Sequence, residues 1–209
     1  MSFEERVKIY KNQNSYKIKI CGLERELPIR QVEKGLWVAS NHRLVLGRDL
    51  AFTKTVGKEL AFRIKPYEPE CLLTAESKSL PLVYEVARKL EVEMCVCRKE
   101  EKAYMGEKYL EINIKSITTG KPQRLILEDD EAKRLKNKRV CLIDDVVSTY
   151  GTMQGLEKIA LKAEGKVVCK ACVWLEGPWY RGEDLIYLGI LPIFVLEEEY
   201  KRMKKLYCS

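Results

Sequence analysis

Apolar positions along the chain follow two patterns, short continuous runs and a repeat of three to four residues. The short runs predict buried strands at 71–74, 94–97, 140–143, 167–174 and 186–188. The repeat predicts helices with one buried face, over 52–64, 80–90 and 153–160. Because strands that alternate with helices are typical of α/β proteins, we expect a mainly parallel, twisted sheet flanked by helices.

Polar residues and glycine mark the ends of these helices. Asp49 is a candidate N-cap for the first helix, since its side chain can accept a hydrogen bond from an exposed backbone N–H. Ser79 and Pro81 are typical of the start of the second helix. Gly165 follows the last apolar position of the third helix and is expected at its C′ position.

Two further regions predict strands. The first contains an alternating strand at 16–20 and a second strand at 36–40, with Gly22, Pro28 and Gly35 expected to interrupt the chain between them. The second region, over 112–127, alternates and is expected to form an antiparallel excursion that turns at 119–121. The sequence therefore predicts an N-terminal pair of strands and an antiparallel excursion beside the mainly parallel sheet.

Composition is that of an ordinary globular protein. The chain has 209 residues, 46% hydrophobic and 33% charged, which suits one domain over 1–209. No apolar run approaches the length of a membrane span and the first residues lack an apolar signal segment, so we expect a cytoplasmic protein. The net charge of +7 suits a polyanionic small substrate, and the dispersed basic residues argue against nucleic acid as the partner.

Cysteine and histidine usage argues against a metal site built from those residues. Most of the eight cysteines lie in apolar runs, where free cysteine behaves as a small hydrophobe. Cys169 and Cys172 lack a second pair of matching ligands, and His42 is the only histidine. We expect reduced, buried thiols.

The stretch 140–152 carries the most chemical information. An apolar run ends in Asp144 and Asp145, and the hydroxyl residues and glycine at 148–152 open the next helical pattern. Adjacent carboxylates can accept hydrogen bonds from two neighbouring sugar hydroxyls, and backbone N–H groups at a helix N-terminus bind phosphate. A ribose 5-phosphate would satisfy both, whereas the simpler alternative is an acidic pair before an ordinary N-cap.

This stretch resembles the phosphoribosyl pyrophosphate (PRPP) motif of type I phosphoribosyltransferases: four apolar residues, Asp-Asp, two apolar residues, then small-Thr-Gly-Gly-Thr. The resemblance implies that Asp144 and Asp145 hold the ribose hydroxyls and stabilise positive charge on the ring. It implies that five residues bind the 5′-phosphate: Ser148, Thr149, Tyr150, Gly151 and Thr152. Tyr150 stands where the family has glycine. A side chain is tolerated there if φ is negative, but a positive φ would strain the turn or alter the phosphate site.

The segment after the strand at 71–74 resembles the pyrophosphate loop of adenine phosphoribosyltransferases. It contains Ala75, Glu76, Ser77 and Lys78, with lysine in place of the family's arginine. The resemblance implies that these residues bind pyrophosphate. Glu76 is also a candidate for relieving the base of its proton. Standing alone, the segment would equally suit an ordinary capped helix.

A basic stretch after the strand at 94–97 resembles the family's approach to a flexible loop. Arg98, Lys99 and Lys102 could neutralise the departing pyrophosphate, although such a cluster alone is usually a solvated loop. The resemblance also implies Mg²⁺ as cofactor, held mainly through PRPP, with Asp144 and Asp145 as candidate ligands.

The resemblance further implies a layout around roughly 70–192. A small N-terminal hood at about 14–48 would cover the base, a PRPP-binding core would span about 66–192, and a C-terminal helix about 195–209. Three apolar residues of the hood are expected to form its core rather than stack on the base: Leu27, Ile29 and Trp37.

The function implied is transfer of the phosphoribosyl group from PRPP to a purine base, with adenine first among the candidates. Hypoxanthine, guanine, xanthine and orotate stay open as bases, since the segment 116–121 departs from the adenine enzymes. A non-catalytic PRPP-sensing regulator of the same fold is the other alternative, favoured by Tyr150 and Lys78. A homodimer is expected from the resemblance only.

Overall fold

The computed structural model of the protein describes residues 2–103, 105, 108–115 and 122–208. Within them the helices are α1 (Phe3–Arg6), α2 (Leu50–Ile64), α3 (Leu80–Leu90), α4 (Asp129–Leu135), α5 (Gly151–Lys162) and α6 (Glu197–Cys208). The strands are β1 (Val7–Ile9), β2 (Ser15–Ile20), β3 (Leu23–Glu33), β4 (Leu36–Ala39), β5 (Cys71–Ala75), β6 (Glu93–Cys97), β7 (Tyr109–Lys115), β8 (Pro122–Glu128), β9 (Arg139–Val147), β10 (Lys166–Glu176), β11 (Leu185–Leu191) and β12 (Ile193–Val195). Shorter helical turns at Leu44–Arg48 and Lys65–Tyr67 flank α2.

The core sheet contains the parallel strands β11-β10-β9-β5-β6, in that order, with β9 at its centre. Helices α2 and α3 pack on one face, and α4, α5 and the β7–β8 pair cover the other. The predicted α/β fold is confirmed. So are the five predicted core strands and the three predicted helices, apart from their exact ends.

The capping predictions have different outcomes. Asp49 is confirmed as the N-cap of α2, since its Oδ1 accepts a hydrogen bond from the N–H of Phe52 at 2.9 Å. The prediction for Gly165 is wrong by one residue, because Glu164 takes the left-handed conformation with φ of 60°. Gly165 donates its N–H to the carbonyl of Ala160 at 2.8 Å, which is the contact of the following position, C″.

A second five-stranded sheet, called the hood sheet below, has the order β1-β12-β4-β3-β2. It extends beyond 14–48, because β1 precedes that range and β12 comes from the chain beyond the core sheet. The expectation that Pro28 interrupts the chain is wrong, since Pro28 lies inside β3 opposite Ser15. The carbonyl of Pro28 accepts a hydrogen bond from the N–H of Ser40 at 2.9 Å, so the strand uses the one polar backbone group that proline retains.

The hood sheet and the core sheet share one apolar interior. Ile18, Leu27 and Ile29 of the hood sheet belong to the same buried cluster as Phe52 of α2 and Trp174 of β10. The hood sheet is therefore held over the core sheet by packing rather than by a flexible connection.

Strands β7 and β8 pair in antiparallel register, which confirms the predicted excursion. Its predicted turn at 119–121 and the segment 116–121 lie outside the described residues. The pair sits close against α5, where a Cβ on Gly155 would overlap the side chain of Ile114. Glycine at this helical position therefore allows the excursion to pack on the helix.

The expectation of free, mostly buried cysteines is confirmed for the described thiols. Buried free cysteines are found at Cys71, Cys95, Cys97, Cys141, Cys169 and Cys172. Cys21 is the exposed exception, in the turn between β2 and β3.

In the described part of the chain, helices fall short of the length and apolar character needed to cross a bilayer.

Asp49→Ala should lower the free energy of unfolding by about 1–2 kcal/mol, because Asp49 caps α2 and also pairs with Arg25 of β3. The Nε of Arg25 lies 2.5 Å from Asp49 Oδ2. Urea denaturation measures the change. Glu24→Ala is the control, since Glu24 makes an exposed pair with Lys19 that should contribute less than about 0.5 kcal/mol. Equal losses in the two variants would contradict the role of Asp49.

Candidate functional site

The carboxyl ends of β5, β9 and β10 open into a cleft of about 640 Å³ between the core sheet and the hood sheet. From the core side it is lined by Ala75, Glu76, Ser77, Lys78, Ser79, Lys99, Asp144, Asp145, Val146, Ser148, Thr152, Glu176 and Trp179. From the hood side it is lined by Val32, Glu33, Leu36, Val38, Ala39, Ser40, Asn41 and His42. Residues from all three predicted segments therefore meet at one place, as expected for a ligand site in an open parallel sheet.

Asp144 and Asp145, called the acidic pair below, lie near the end of β9, the central strand. Asp145 is only 4% exposed, and its N–H donates to Asp144 Oδ1 at 2.8 Å. Lys78 Nζ lies 3.3 Å from Asp145 Oδ2, within range of an ion pair. Among the described residues, however, no donor meets hydrogen-bond geometry at that oxygen. Asp145 Oδ2 is therefore a buried acceptor that a ligand hydroxyl could satisfy.

Ionising both carboxyls of the acidic pair is electrostatically unfavourable. Burial and the negative charge of Asp145 raise the pKa of Asp144 well above its ordinary value, while the Asp145 N–H and Lys78 act in the opposite direction. Two neighbouring carboxylates resist simultaneous ionisation unless positive charge is close to them. The pair therefore favours a ligand or reaction step that brings positive charge to this end of β9.

Glu76 joins the loop after β5 to the segment after β6. Its Oε2 accepts a hydrogen bond from Arg98 Nη1 at 3.1 Å, and its Oε1 accepts one from the N–H of Lys99 at 2.9 Å. Burial alone would raise the pKa of Glu76, but these hydrogen bonds outweigh it and the pKa lies below its ordinary value. Glu76 is thus a stable anion that holds the two segments together. The peptide bond between Glu76 and Ser77 is cis.

The basic residues of the predicted pyrophosphate site do not all lie in the cleft. Lys78 and Lys99 line the cleft. Arg98 is engaged with the loop after β5, as described above. Lys102 Nζ pairs with Glu100 Oε2 at 3.2 Å, and Lys102 is not among the described residues that line the cleft. Of the four predicted cations, two therefore line the cleft, one is paired with Glu76 and one with Glu100.

The turn between β9 and α5 surrounds a crevice of about 50 Å³. It contains the five residues predicted to bind phosphate: Ser148, Thr149, Tyr150, Gly151 and Thr152. Ser148 and Thr152 also line the main cleft. The first turn of α5 begins here, so unpaired backbone N–H groups and the positive end of the helix dipole suit an anion.

Tyr150 takes the left-handed conformation, with φ of 71° and ψ of 3°. The condition under which a side chain is easily tolerated, a negative φ, is not met. For a residue with a Cβ this conformation costs roughly 1–2 kcal/mol, so other contacts of Tyr150 must hold it. Tyr150 therefore stands at the position of the family's glycine and has a positive φ.

Glu176, Trp179 and Asn41 line the cleft but were not identified from the sequence. Glu176 ends β10 next to the acidic pair, and burial raises its pKa to about 7, with Asp145 adding to the shift and Lys78 opposing it. Asn41 is 5% exposed, and its Nδ2 has no hydrogen-bond partner among the described residues. The signal available for Glu176 was the same as for the acidic pair, a carboxylate at the end of an apolar run.

Two of the three apolar hood residues expected in the core, Leu27 and Ile29, are confirmed there, and the third, Trp37, is partly buried against the same interior. Leu27 and Ile29 are 1% and 5% exposed and lie in the shared interior. The ring of Trp37 stacks on that of Tyr10, with centroids 4.0 Å apart. The apolar wall of the cleft comes instead from neighbouring positions of β4 and from Trp179.

Comparison with known proteins matches residues 50–192 to the phosphoribosyl transferase domain family. The adenine phosphoribosyltransferase of Natranaerobius thermophilus is 32% identical over 130 residues, which cover 62% of this chain and 71% of that protein. The xanthine phosphoribosyltransferase of Alkaliphilus metalliredigens is 26% identical over 153 residues, covering 71% and 73%. The purine biosynthesis transcriptional activator PurR of Lactococcus lactis is 25% identical over 142 residues, covering 67% and 51%, so the chain spans about half the length of that relative.

Among solved structures, the adenine phosphoribosyltransferase of Giardia lamblia in complex with 9-deazaadenine is similar, with a TM-score of 0.60. The two chains are 16% identical, and the similarity covers 84% of this chain and 93% of the other. The sequence match and the shared fold agree with the geometry of the cleft. The chain belongs to the phosphoribosyltransferase family.

At high pH, Glu176→Gln should have a higher free energy of unfolding than the wild type. The raised pKa means that folded Glu176 retains a proton between pH 4.5 and about 7 that the unfolded chain releases, so its contribution to stability falls across this window. Removing the carboxyl should abolish that fall, on the order of 1–3 kcal/mol.

Urea denaturation at pH 5 and pH 8 measures the difference. Glu183→Gln, in the exposed loop before β11, is the matched control and should follow the wild type. If the free energy of unfolding depends on pH in the same way in the wild type and in Glu176→Gln, the pKa of Glu176 is not raised in the folded protein.

Proposed function

We propose that the protein is a purine phosphoribosyltransferase that transfers the 5-phosphoribosyl group of PRPP to adenine and releases pyrophosphate. The observation that carries the proposal is the shared cleft. The cleft contains Asp145 Oδ2, a buried carboxylate oxygen without a hydrogen-bond donor among the described residues. Lys78 and Lys99 line the same cleft, and it adjoins the turn between β9 and α5. These groups suit the diol, the 5′-phosphate and the pyrophosphate of one molecule.

Asp144 and Asp145 would hold the ribose hydroxyls. As the bond from the sugar to pyrophosphate breaks, positive charge develops on the ring. A neighbouring acidic pair stabilises that charge more strongly than it stabilises the neutral ground state, which is the condition for catalysis. The raised pKa of Asp144 means that ionising this carboxyl is costly in the free protein, and positive charge developing on the sugar would lower that cost.

Lys78 and Lys99 would bind the departing pyrophosphate. Lys78 is about half exposed and pairs only loosely with Asp145, so it can turn toward an incoming anion. Ser77 and the backbone of the loop after β5 line the same side of the cleft. Glu76 would act by fixing this loop to the segment that carries Lys99, rather than as the proton acceptor, since its pKa is lowered by two hydrogen bonds.

The donor set around the acidic pair fits Mg²⁺ bound together with PRPP. Asp145 Oδ2 and the carboxylate of Asp144 are hard oxygen ligands. The described residues contain no cluster of three metal-binding side chains, so phosphate oxygens and water would complete the coordination. When bound, the ion would neutralise part of the charge on the leaving pyrophosphate.

Glu176 and Asn41 bear on the choice of base. A neutral Glu176 carboxyl can donate to a ring nitrogen of adenine and accept from its amino group. An ionised carboxylate is only an acceptor, and with the Asn41 amide as donor it suits a 6-oxopurine such as guanine. A pKa of about 7 leaves Glu176 largely neutral below neutral pH, which favours adenine there. A 6-oxopurine is the second candidate substrate, favoured by the Asn41 Nδ2, which lacks a partner among the described residues.

Asp145→Asn should reduce turnover on the order of 100-fold while leaving the fold intact, because it removes negative charge from beside the sugar. The assay is pyrophosphate release from PRPP and Mg²⁺ with adenine, guanine, hypoxanthine, xanthine or orotate in turn. Asp130→Asn, at a side chain that is 92% exposed, is the control and should keep full activity. Full activity of Asp145→Asn would contradict the assigned role. Tight PRPP binding without turnover on any base would instead support a PRPP-sensing regulator.

The KM for adenine should rise about tenfold between pH 6 and pH 8, since the neutral fraction of a group with a pKa of about 7 falls about tenfold over that range. Glu176→Gln should flatten this profile, because an amide donates and accepts at both pH values. With guanine the wild-type trend should reverse. An adenine KM that changes equally in the wild type and in Glu176→Gln would remove Glu176 from base recognition.

A further inference from the structure

Tyr150 contacts a compact group of side chains that are not among the described residues lining the main cleft. Lys170 Nζ, from the middle of β10, donates to Tyr150 Oη at 2.8 Å. The ring of Tyr150 stacks on that of Tyr180, with centroids 4.9 Å apart and an interplanar angle of 18°. The hydroxyl of Tyr180 is hydrogen-bonded to Asp184. The side chain of Tyr150 is therefore fixed at both its ring and its hydroxyl.

Lys170 is the centre of this group. Its Nζ lies 3.2 Å from Glu157 Oε1 and 2.5 Å from Asp184 Oδ2, and its side chain is 13% exposed. Burial alone would lower the pKa of Lys170, but its contacts with Asp184, Tyr150 and Glu157 outweigh burial and raise it. Lys170 is thus a fixed cation that links β10 to the N-cap of α5 and to Glu157 in the middle of that helix.

The backbone of Tyr150 is the part of this assembly that matters for the ligand. Tyr150 is the N-cap of α5, and its carbonyl accepts the first helical hydrogen bond, from the N–H of Gln154 at 2.9 Å. Its left-handed conformation directs the turn whose N–H groups and hydroxyls line the small crevice. A side chain held from behind can keep a backbone in a conformation that it would otherwise leave.

We propose that Lys170 is a positioning residue that, through Tyr150, holds the turn before α5 in the shape that binds the phosphate of the sugar. This inference rests on the proposed function. Lys170 is not among the described residues that line the main cleft. The Nζ of Lys170 contacts Tyr150, Glu157 and Asp184. It acts on affinity for the phosphorylated sugar rather than on the chemical step.

A double-mutant cycle tests the inference. Lys170→Met should weaken PRPP binding about tenfold, measured by calorimetry with Mg²⁺, and should raise the KM for PRPP with kcat little changed. Tyr150→Gly restores a residue that adopts the left-handed conformation freely. In that background, Lys170→Met should change the dissociation constant by less than about twofold, because no side chain remains to be held.

Lys166→Met is the matched control, an exposed lysine at the start of the same strand, and should bind PRPP as the wild type does. Equal weakening by Lys170→Met in the wild-type and Tyr150→Gly backgrounds would overturn the inference, since a general loss of structure affects both alike. So would unchanged PRPP binding in Lys170→Met. Thermal unfolding of each variant in the absence of ligand identifies any that fail to fold. If Lys170→Met is among them, Tyr150→Phe is compared with the wild type alone, since it removes only the hydroxyl that Lys170 contacts. It should then weaken PRPP binding, and unchanged binding in Tyr150→Phe would overturn the inference. A wild-type protein that produces no heat with PRPP would overturn the proposed function as well.

Discussion

Concentrated negative charge at the carboxyl ends of β9 and β10 is the constraint on which the rest of the site depends. Asp144, Asp145 and Glu176 share one cleft, and Lys78 Nζ lies 3.3 Å from Asp145 Oδ2. The pKa of Asp144 is raised well above its ordinary value and that of Glu176 to about 7, so ionising all three carboxyls together is costly. In the proposed function, a sugar that becomes positive during reaction, or a bound cation, would reduce that cost.

The scaffold places this cluster by simple rules. Parallel strands bring their carboxyl ends to one edge of the core sheet, and helices start from the same edge with their N–H groups exposed. The chain then returns through β12 into the hood sheet, closing the cleft from above. Arg6, just before β1, donates to the carbonyls of Gly177 at 2.7 Å and Tyr180 at 2.9 Å, and so fixes the loop that follows Glu176.

Features carried by local pattern could be predicted from the sequence, and features set by long-range contacts could not. The apolar runs indicated the strands of the core sheet, and the residues that follow them indicated the acidic pair and the candidate phosphate-binding turn between β9 and α5. The position of Pro28 inside β3 depends on pairing with β2 and β4, and β12 joins the hood sheet only through contacts with distant strands. Glu176 obeys the same strand-end rule as Asp144, but no motif surrounds it to distinguish it from an ordinary surface carboxylate.

Tyr150 has one feature that could be predicted from the sequence and one that could not. Its departure from glycine is visible in the sequence, together with the consequence of a positive φ. The compensation is not visible there, because Lys170, Tyr180 and Asp184 come from β10 and the loop beyond it. Strain in one turn is thus balanced by a polar and aromatic group assembled from separate parts of the chain.

The central claim is that Asp144 and Asp145 and the turn before α5 bind opposite ends of one sugar phosphate. Titration of the isotopically labelled protein with ribose 5-phosphate, followed by amide resonances, tests it directly. We expect the resonances of 144–145 and 148–152 to move together with one dissociation constant. We expect 2-deoxyribose 5-phosphate to move the resonances of 148–152 but to affect those of 144–145 more weakly. Shifts confined to other parts of the chain, or no shifts at all, would contradict it.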